Sequence, residues 1–153
     1  MIHDKNGTHH KRVSFRGYSM YPSMKPGDIL VLTAVSARSV ESGDIICATR
    51  GREYVTHRVI DVLDSPPARI FITKGDNLPH PDRPFSPDSE SMLKVTMVVR
   101  ARGRLVRPRF GRALAFLSRS NLSPGIIKGR IGRIVRGVYS RFQVLLSKEP
   151  GQP

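Results

Sequence analysis

A serine in a turn-rich segment could act as a nucleophile. Ser19 lies two residues after Gly17 and three before Pro22, in a segment that ends with Gly27 and Asp28. Glycine and proline give such a segment an irregular backbone, which can expose a hydroxyl and direct backbone N–H groups at one point. Acyl transfer needs donors of this kind for its oxyanion. The same residue types also make ordinary turns, so the pattern alone leaves Ser19 as either a turn residue or a nucleophile.

Four short segments, including this one, carry residue types that occur together in one enzyme family. The first, GYSMYPSMKPGD (17–28), resembles the nucleophile segment of the type I signal peptidases, and the self-cleaving bacterial repressors share a looser version. The second, SGDII (42–46), is similar to the family's second Gly-Asp strand start. The third, VTHRVI (55–60), resembles the His-Arg-Val segment of the archaeal, endoplasmic-reticulum and sporulation-type enzymes.

The fourth segment resembles the same branch of the family. It reads TKGDN (73–77), and Asp82 follows Asp76 by six residues, which is similar to the Thr-Lys-Gly-Asp-Asn and Asp pattern of the histidine-type enzymes. The bacterial housekeeping enzymes and the repressors carry a lysine where this chain has His57. The resemblance therefore implies a serine endopeptidase of the histidine type over residues 15–100.

The resemblance implies a role for each of four side chains. Ser19 would be the nucleophile and His57 its general base and later acid, because a serine hydroxyl needs a base and imidazole titrates near neutrality. Asp82 would orient the imidazole and stabilise its protonated form. Asp76 is the competing carboxylate, although the family usually uses the aspartate after Lys-Gly in the framework of the site.

Other side chains could also supply chemistry. Lys74 could be the base of a Ser-Lys pair, but this branch of the family has a lysine at that place without using it as the base. His3, His9 and His10 could bind a metal weakly, whereas we interpret the start of the chain as a flexible polar terminus. We therefore predict no metal and no cofactor.

The first hundred residues are predicted to form a mostly β domain. Short apolar or alternating runs lie at 28–35, 44–49, 53–63, 69–74 and 93–100. Such runs, separated by turn residues at short spacing, predict an antiparallel sheet. Residues 77–91 contain four prolines and are predicted to be a loop. If Asp82 orients His57, that loop is ordered at Asp82, because a disordered carboxylate could not hold an imidazole.

The last third of the sequence differs in charge. Lys and Arg outnumber Asp and Glu by 13 to 11 over residues 1–98 and by 13 to 1 over residues 99–153. Residues 112–118 predict a short helix, and apolar residues at three- and four-residue intervals from Ile127 to Leu146 predict an amphipathic one. We therefore divide the chain into a signal-peptidase-like catalytic β domain (1–103) and a basic amphipathic helical tail (104–153).

This tail is predicted to bind a polyanion. Its apolar stripe opposite basic residues suits an anionic membrane surface, while nucleic acid would attract the same charges through its phosphates. The sequence has no run of about 20 apolar residues that would span a bilayer, and residues 1–12 lack the apolar segment of a secretory signal. We expect a peripheral membrane protein on the cytoplasmic face, whereas ordinary signal peptidases are anchored and act on the opposite face.

The predicted activity is cleavage of a signal-peptide-like or leader segment, and two alternatives belong to other classes. One is a non-catalytic, repressor-like nucleic-acid-binding protein, and the other is a degenerate peptidase-like domain. Repressors place a helix-turn-helix before the serine domain, and residues 1–14 are too short for one. The single cysteine, Cys47, excludes an intramolecular disulfide and lies in an apolar run, so we interpret it as a small core residue.

Overall fold

The computed structural model describes residues 2–3, 9–50, 53–66, 68–87, 91–100, 103, 105–106, 108 and 111–120. Eight strands of this part form an antiparallel sheet. In chain order they are β1 (Ile2–His3), β2 (His9–Ser14), β3 (Ile29–Ser36), β4 (Ile45–Arg50), β5 (Glu53–Ser65), β6 (Ala68–Lys74), β7 (Ser91–Val99) and β8 (Leu105–Val106). Their order across the sheet is β1-β2-β3-β7-β4-β5-β6, and β8 pairs with β7.

The five predicted strands correspond to β3–β7, with boundaries that differ by at most two residues. All the pairings are antiparallel, so the mostly β fold class is confirmed. A 3₁₀ turn at Ala37–Ser39 follows β3. The proline-containing segment over 77–87 is a loop with an isolated bridge from Phe85 to Phe71 of β6, so it is held against the sheet.

Strand β2 was not predicted. It pairs with β3 from His10 opposite Thr33 to Ser14 opposite Ile29. Its sequence, HHKRVS, contains a single apolar residue, so composition gives no strand signal and the pairing with β3 decides its conformation. The prediction of a flexible polar terminus is wrong for residues 9–12, and His10 Nδ1 lies 2.9 Å from Thr33 Oγ1 in a hydrogen bond.

Buried side chains lie on both faces of the sheet. Strand β4 shows the division, because Ile45 and Cys47 pack in one hydrophobic cluster and Ile46 packs in another. Successive side chains of a strand point to opposite faces, so this alternation follows from the pleat. Burying each large apolar side chain contributes about 1.5–3 kcal/mol, which makes the central strands a firm support for the residues they carry.

A short helix, α1 (Gly111–Arg119), packs on β5 and matches the helix predicted over 112–118. The backbone of its first residue, Gly111, contacts the backbone of the turn before β4. A Cβ at Gly43 would lie 2.3 Å from the carbonyl carbon of Gly111, and Gly43 has a φ of +101°. Both the contact and the left-handed conformation require glycine at position 43.

The predicted amphipathic helix from Ile127 to Leu146 lies outside the described residues. Where the structure describes the chain, no helix is long and apolar enough to cross a membrane. Strand β8 and helix α1 both follow residue 103 and both contact the sheet. The boundary between a catalytic domain and a tail at residue 103 stays a prediction.

Candidate active site

Ser19 lies in a compact series of turns that two buried methionines anchor. The N–H of Tyr21 donates to the carbonyl of Tyr18 at 3.0 Å, and that of Met24 donates to Met20 at 2.9 Å. Met20 and Met24 are fully buried in the larger cluster, whereas Tyr18 is 68% exposed. Ser19, which lies between Tyr18 and Met20 in the sequence, is half-buried. The turns therefore hold its side chain at the boundary between core and surface.

A second turn fixes the backbone of Ser19 from the other side. The N–H of Asn77 donates to the carbonyl oxygen of Ser19 at 2.7 Å. Gly75 makes this approach possible, because a Cβ there would lie 2.6 Å from the same oxygen. The glycine of the TKGDN segment is thus required for close contact with the serine segment.

His57 lies on β5 and is paired with Asp82. Its Nδ1 is 2.6 Å from Asp82 Oδ2, and His57 is 7% exposed. An ionised carboxylate can only accept, so Nδ1 carries the proton and Nε2 of the neutral ring is left as an acceptor. A general base needs this tautomer. The contact predicted between His57 and Asp82 is present, and their catalytic roles stay predictions.

Thr73 holds Asp82 in place, and sequence reasoning did not single it out. Its Oγ1 donates to Asp82 Oδ2 at 2.7 Å, and the N–H of Asp82 donates to the carbonyl of Thr73 at 2.8 Å. Phe71 and Phe85 exchange two further backbone hydrogen bonds, of 2.8 and 3.1 Å. The sequence signal for Thr73 is its position next to Lys74 on β6, because adjacent side chains of a strand point to opposite faces.

Asp76 has a different partner. Arg58 donates to its two oxygens, from Nε at 2.8 Å and from Nη2 at 2.7 Å, and Ser23 Oγ also donates to it. Arg58 is 1% and Asp76 3% exposed, and Arg58 Nη1 donates to the carbonyl of Gly43 at 3.0 Å. This carboxylate therefore belongs to a buried ion pair that connects the serine segment with the turn before β4.

The ammonium group of Lys74 donates a hydrogen bond to helix α1. Nζ is 2.6 Å from the carbonyl oxygen of Ser118, in the last turn of the helix. Burial lowers the pKa of Lys74, and the charge of Asp76 opposes this effect. Arg58 and Lys74 are opposite each other in the β5–β6 register, so both lie on the face away from His57 and Thr73.

Ser19 and His57 line one cavity of about 430 Å³. No hydrogen bond joins Ser19 Oγ to the imidazole in the described part of the chain. Cys47 forms part of the wall, and burial raises the pKa of its thiol against smaller opposing effects of Thr56 and Lys11. The remaining described lining residues are Val13, Ser14, Phe15, Arg16, Gly17, Leu30, Tyr54, Val55 and Thr56.

A second cavity, of about 460 Å³, lies between the turn before β4 and the start of α1. Its charged groups are paired with each other, since Arg112 bonds Glu41 at 2.5 Å and Lys94 bonds Asp44 at 2.8 Å. It contains none of the predicted catalytic side chains. The described residues also include no group of three or more histidine, cysteine or acidic side chains that could hold a metal ion.

Comparisons of this chain with protein-family models, with curated proteins and with solved structures found no match.

Proposed function

We propose that this chain is a serine endopeptidase that cleaves a signal-peptide-like or leader segment with Ser19, His57 and Asp82. The observation that carries the proposal is the hydrogen bond from His57 to Asp82, on the wall of a cavity that Ser19 also lines. A histidine oriented by a carboxylate and a serine at the same cavity are the parts that acyl transfer requires. The resemblance to the histidine-type signal peptidases supplies the substrate class.

The reaction follows from this arrangement. His57 Nε2 removes the proton from Ser19 Oγ as the oxygen attacks the carbonyl carbon of the substrate, and Asp82 stabilises the imidazolium. His57 then gives that proton to the leaving amine, which releases one peptide and leaves an acyl ester on Ser19. Water, activated by the same imidazole, hydrolyses the ester and restores the serine. Ser19 and His57 must approach each other when substrate binds, as catalytic pairs commonly do.

The shape of the cavity suits an extended peptide. One wall comes from β2 and the residues after it, 13–17, and the other from β5 over 54–57. In the described part, β5 pairs with β6 only from Arg58 onward, so residues 53–57 extend beyond that neighbour. An extended chain can use such backbone for hydrogen bonds while its side chains enter the cavity.

The proposed location is an anionic membrane surface on the cytoplasmic face, bound through residues 104–153. Helix α1 offers one observation in favour of this proposal. Phe116 of this helix is 68% exposed, while the neighbouring Arg112 and Arg119 are paired with Glu41 and Asp61. An exposed aromatic side chain suits the boundary between headgroups and acyl chains, and the other basic residues of 104–153 would supply the attraction to anionic lipid. Nucleic acid, as a partner of a non-catalytic protein, is the competing proposal.

The test is cleavage of a peptide library by the full chain, with the products identified by mass spectrometry. Ser19→Ala and His57→Ala should each lower kcat/KM by at least about a hundredfold. The first removes the hydroxyl that gives up the proton, and the second removes the imidazole that accepts it. The double variant should lose no more than the worse single one, since the two side chains act as a unit.

Ser39→Ala is the matched control, because Ser39 is an exposed serine that bonds the carbonyl of Ser36 outside the cavity. It should cleave as the wild type does. Unchanged cleavage by a folded Ser19→Ala protein would refute the serine mechanism. A wild-type chain that cleaves no peptide would favour the degenerate or nucleic-acid-binding alternatives.

A further inference from the structure

The cavity shared by Ser19 and His57 has an uneven charge. Its described lining residues include no aspartate and no glutamate, while Arg16 contributes a permanent positive charge. Arg16 is exposed and forms no ion pair within the described residues. It lies three residues before Ser19, so its charge is available beside the proposed site of reaction.

A second cation lies next to a residue of the cavity wall. Lys11 belongs to β2, and its Nζ lies 5.0 Å from the centre of the Tyr54 ring, which lines the cavity and is 60% exposed. Lys11 also acts on Cys47 in the cavity wall, where its charge opposes the rise in the pKa of the thiol. A cation that rests on an aromatic face keeps its charge for a further partner.

We propose that this cavity selects peptide segments with carboxylate side chains, one bound by Arg16 beside the reacting serine and a second bound by Lys11 at Tyr54. The inference rests on the proposed peptidase function for its substrate and adds the chemical character of that substrate. Guanidinium groups bind carboxylates through paired hydrogen bonds, and the absence of acids from the described wall leaves no competing partner there.

The positions of the two cations predict the spacing of the carboxylates. Lys11 lies on β2, whereas Arg16 lies two residues beyond the end of that strand at Ser14. Successive side chains of an extended peptide point to opposite faces, so two carboxylates that both face this wall must be an even number of positions apart. Four positions, about 13 Å at about 3.3 Å per residue, suit the two long basic side chains. One of them would lie close to the scissile bond, because Arg16 is close in sequence to Ser19.

The test compares the binding of three labelled, alanine-rich peptides by fluorescence anisotropy. They carry two glutamates, two glutamines or two lysines, four residues apart, and the full chain carries Ser19→Ala so that they stay intact. The glutamate peptide should bind about two- to fivefold more tightly per carboxylate than the glutamine peptide, and the lysine peptide should bind most weakly. Added salt should reduce the preference.

Variants separate these two cations from the high net charge of the chain, which is +14. Arg16→Gln and Lys11→Gln should each remove about half of the preference for glutamate. Arg38→Gln is the matched control, since Arg38 is exposed on the 3₁₀ turn and is not among the described residues of the cavity. Equal binding of the glutamate and glutamine peptides, or an equal loss with Arg38→Gln, would overturn the inference.

Cleavage of the same peptides by the wild-type chain tests the proposed function separately from the selectivity. If the wild-type chain leaves the preferred peptide intact, the peptidase proposal is overturned while the binding preference supports a carboxylate-binding cleft. If it cleaves the glutamate and glutamine peptides with equal kcat/KM, the peptidase proposal stands and the selectivity is overturned.

Discussion

Asp82 is oriented by two donors that approach the same oxygen. His57 Nδ1 and Thr73 Oγ1 both bond Oδ2, at 2.6 and 2.7 Å, and the backbone of Asp82 is tied to Thr73 as well. Hydrogen bonds to a charged acceptor are about twice as strong as neutral ones. Thr73 is therefore the side chain that fixes the carboxylate, and through it the imidazole, without lining the cavity itself.

Replacing Thr73 tests this positioning role. Thr73→Val removes the hydroxyl but keeps the shape, so kcat should fall about tenfold while KM stays unchanged, because the binding wall is intact. Thr73→Ser keeps a donor and should restore most of the rate. Steady-state kinetics on the full chain measure both, and circular dichroism checks that the variants fold. An equal loss in both variants would mean that Thr73 acts only through packing.

The preference for Asp82 over Asp76 comes from the resemblance to the histidine-type enzymes, and strand alternation explains why His57 and Arg58 have different partners. His57 and Arg58 are neighbours on β5, so their side chains point to opposite faces of the sheet. Asp82 pairs with the histidine and Asp76 with the arginine. Alternation alone does not say which aspartate reaches which face. That assignment and the role of Thr73 both depend on the path of the loop after Lys74, which no local pattern specifies.

Helix α1 is hydrogen-bonded to β6, the strand that carries Thr73. Lys74 directly follows Thr73 and donates to Ser118, and Arg119 pairs with Asp61 of β5. A lysine whose pKa is lowered by burial would suit a general base, so the pKa alone would favour a Ser-Lys mechanism. The geometry favours a structural role, because the ammonium is bonded to a helix carbonyl on the other face of the sheet.

Lys74→Met distinguishes the two roles. The substitution keeps the volume but leaves the Ser118 carbonyl without its donor, so the free energy of unfolding should fall by about 1–3 kcal/mol. Activity per folded molecule should stay within about threefold of the wild type. Urea unfolding and kcat/KM at a temperature where the variant is fully folded provide the measurements. Complete loss of cleavage by a stable variant would restore Lys74 as the candidate base.

Strands that carry their own apolar pattern could be predicted, and those that depend on neighbours could not. The runs that became β3–β7 are alternating or β-branched, so local composition specified them. Strand β2 is polar and is decided by pairing with β3. The contact of Gly43 with Gly111 joins residues 68 positions apart, and sequence gives no signal for such a contact.

The positive charge of the chain is divided between two tasks in our proposals. Lys11 and Arg16 lie at the cavity, where they would bind acidic side chains of a substrate. The larger share belongs to residues 99–153, with 13 basic residues and one acidic residue. Basic residues near an anionic leaflet contribute about 1 kcal/mol each, so this segment could hold the cavity close to substrates at a membrane.

The last prediction separates lipid from nucleic acid as the partner of the basic segment. Ile131, Ile134 and Val138 belong to the predicted apolar stripe, and lipid offers that stripe a partner whereas phosphates do not. Replacing all three with serine in the full chain should weaken binding to anionic vesicles by at least about tenfold, because about 0.8 kcal/mol is lost for each buried methylene. Binding to duplex DNA should change by less than about twofold.

Co-sedimentation with vesicles and anisotropy with DNA, at matched ionic strength, measure the two affinities. Both should fall as salt rises, since both partners attract the same cations, so salt dependence alone does not separate them. The triple serine variant does, because it keeps every charge and removes only apolar surface. If vesicle binding survives these changes, the stripe packs on protein instead, and the membrane proposal fails. If the variant loses both partners equally, the segment has lost its fold, which a helicity measurement by circular dichroism on vesicles and on DNA would reveal.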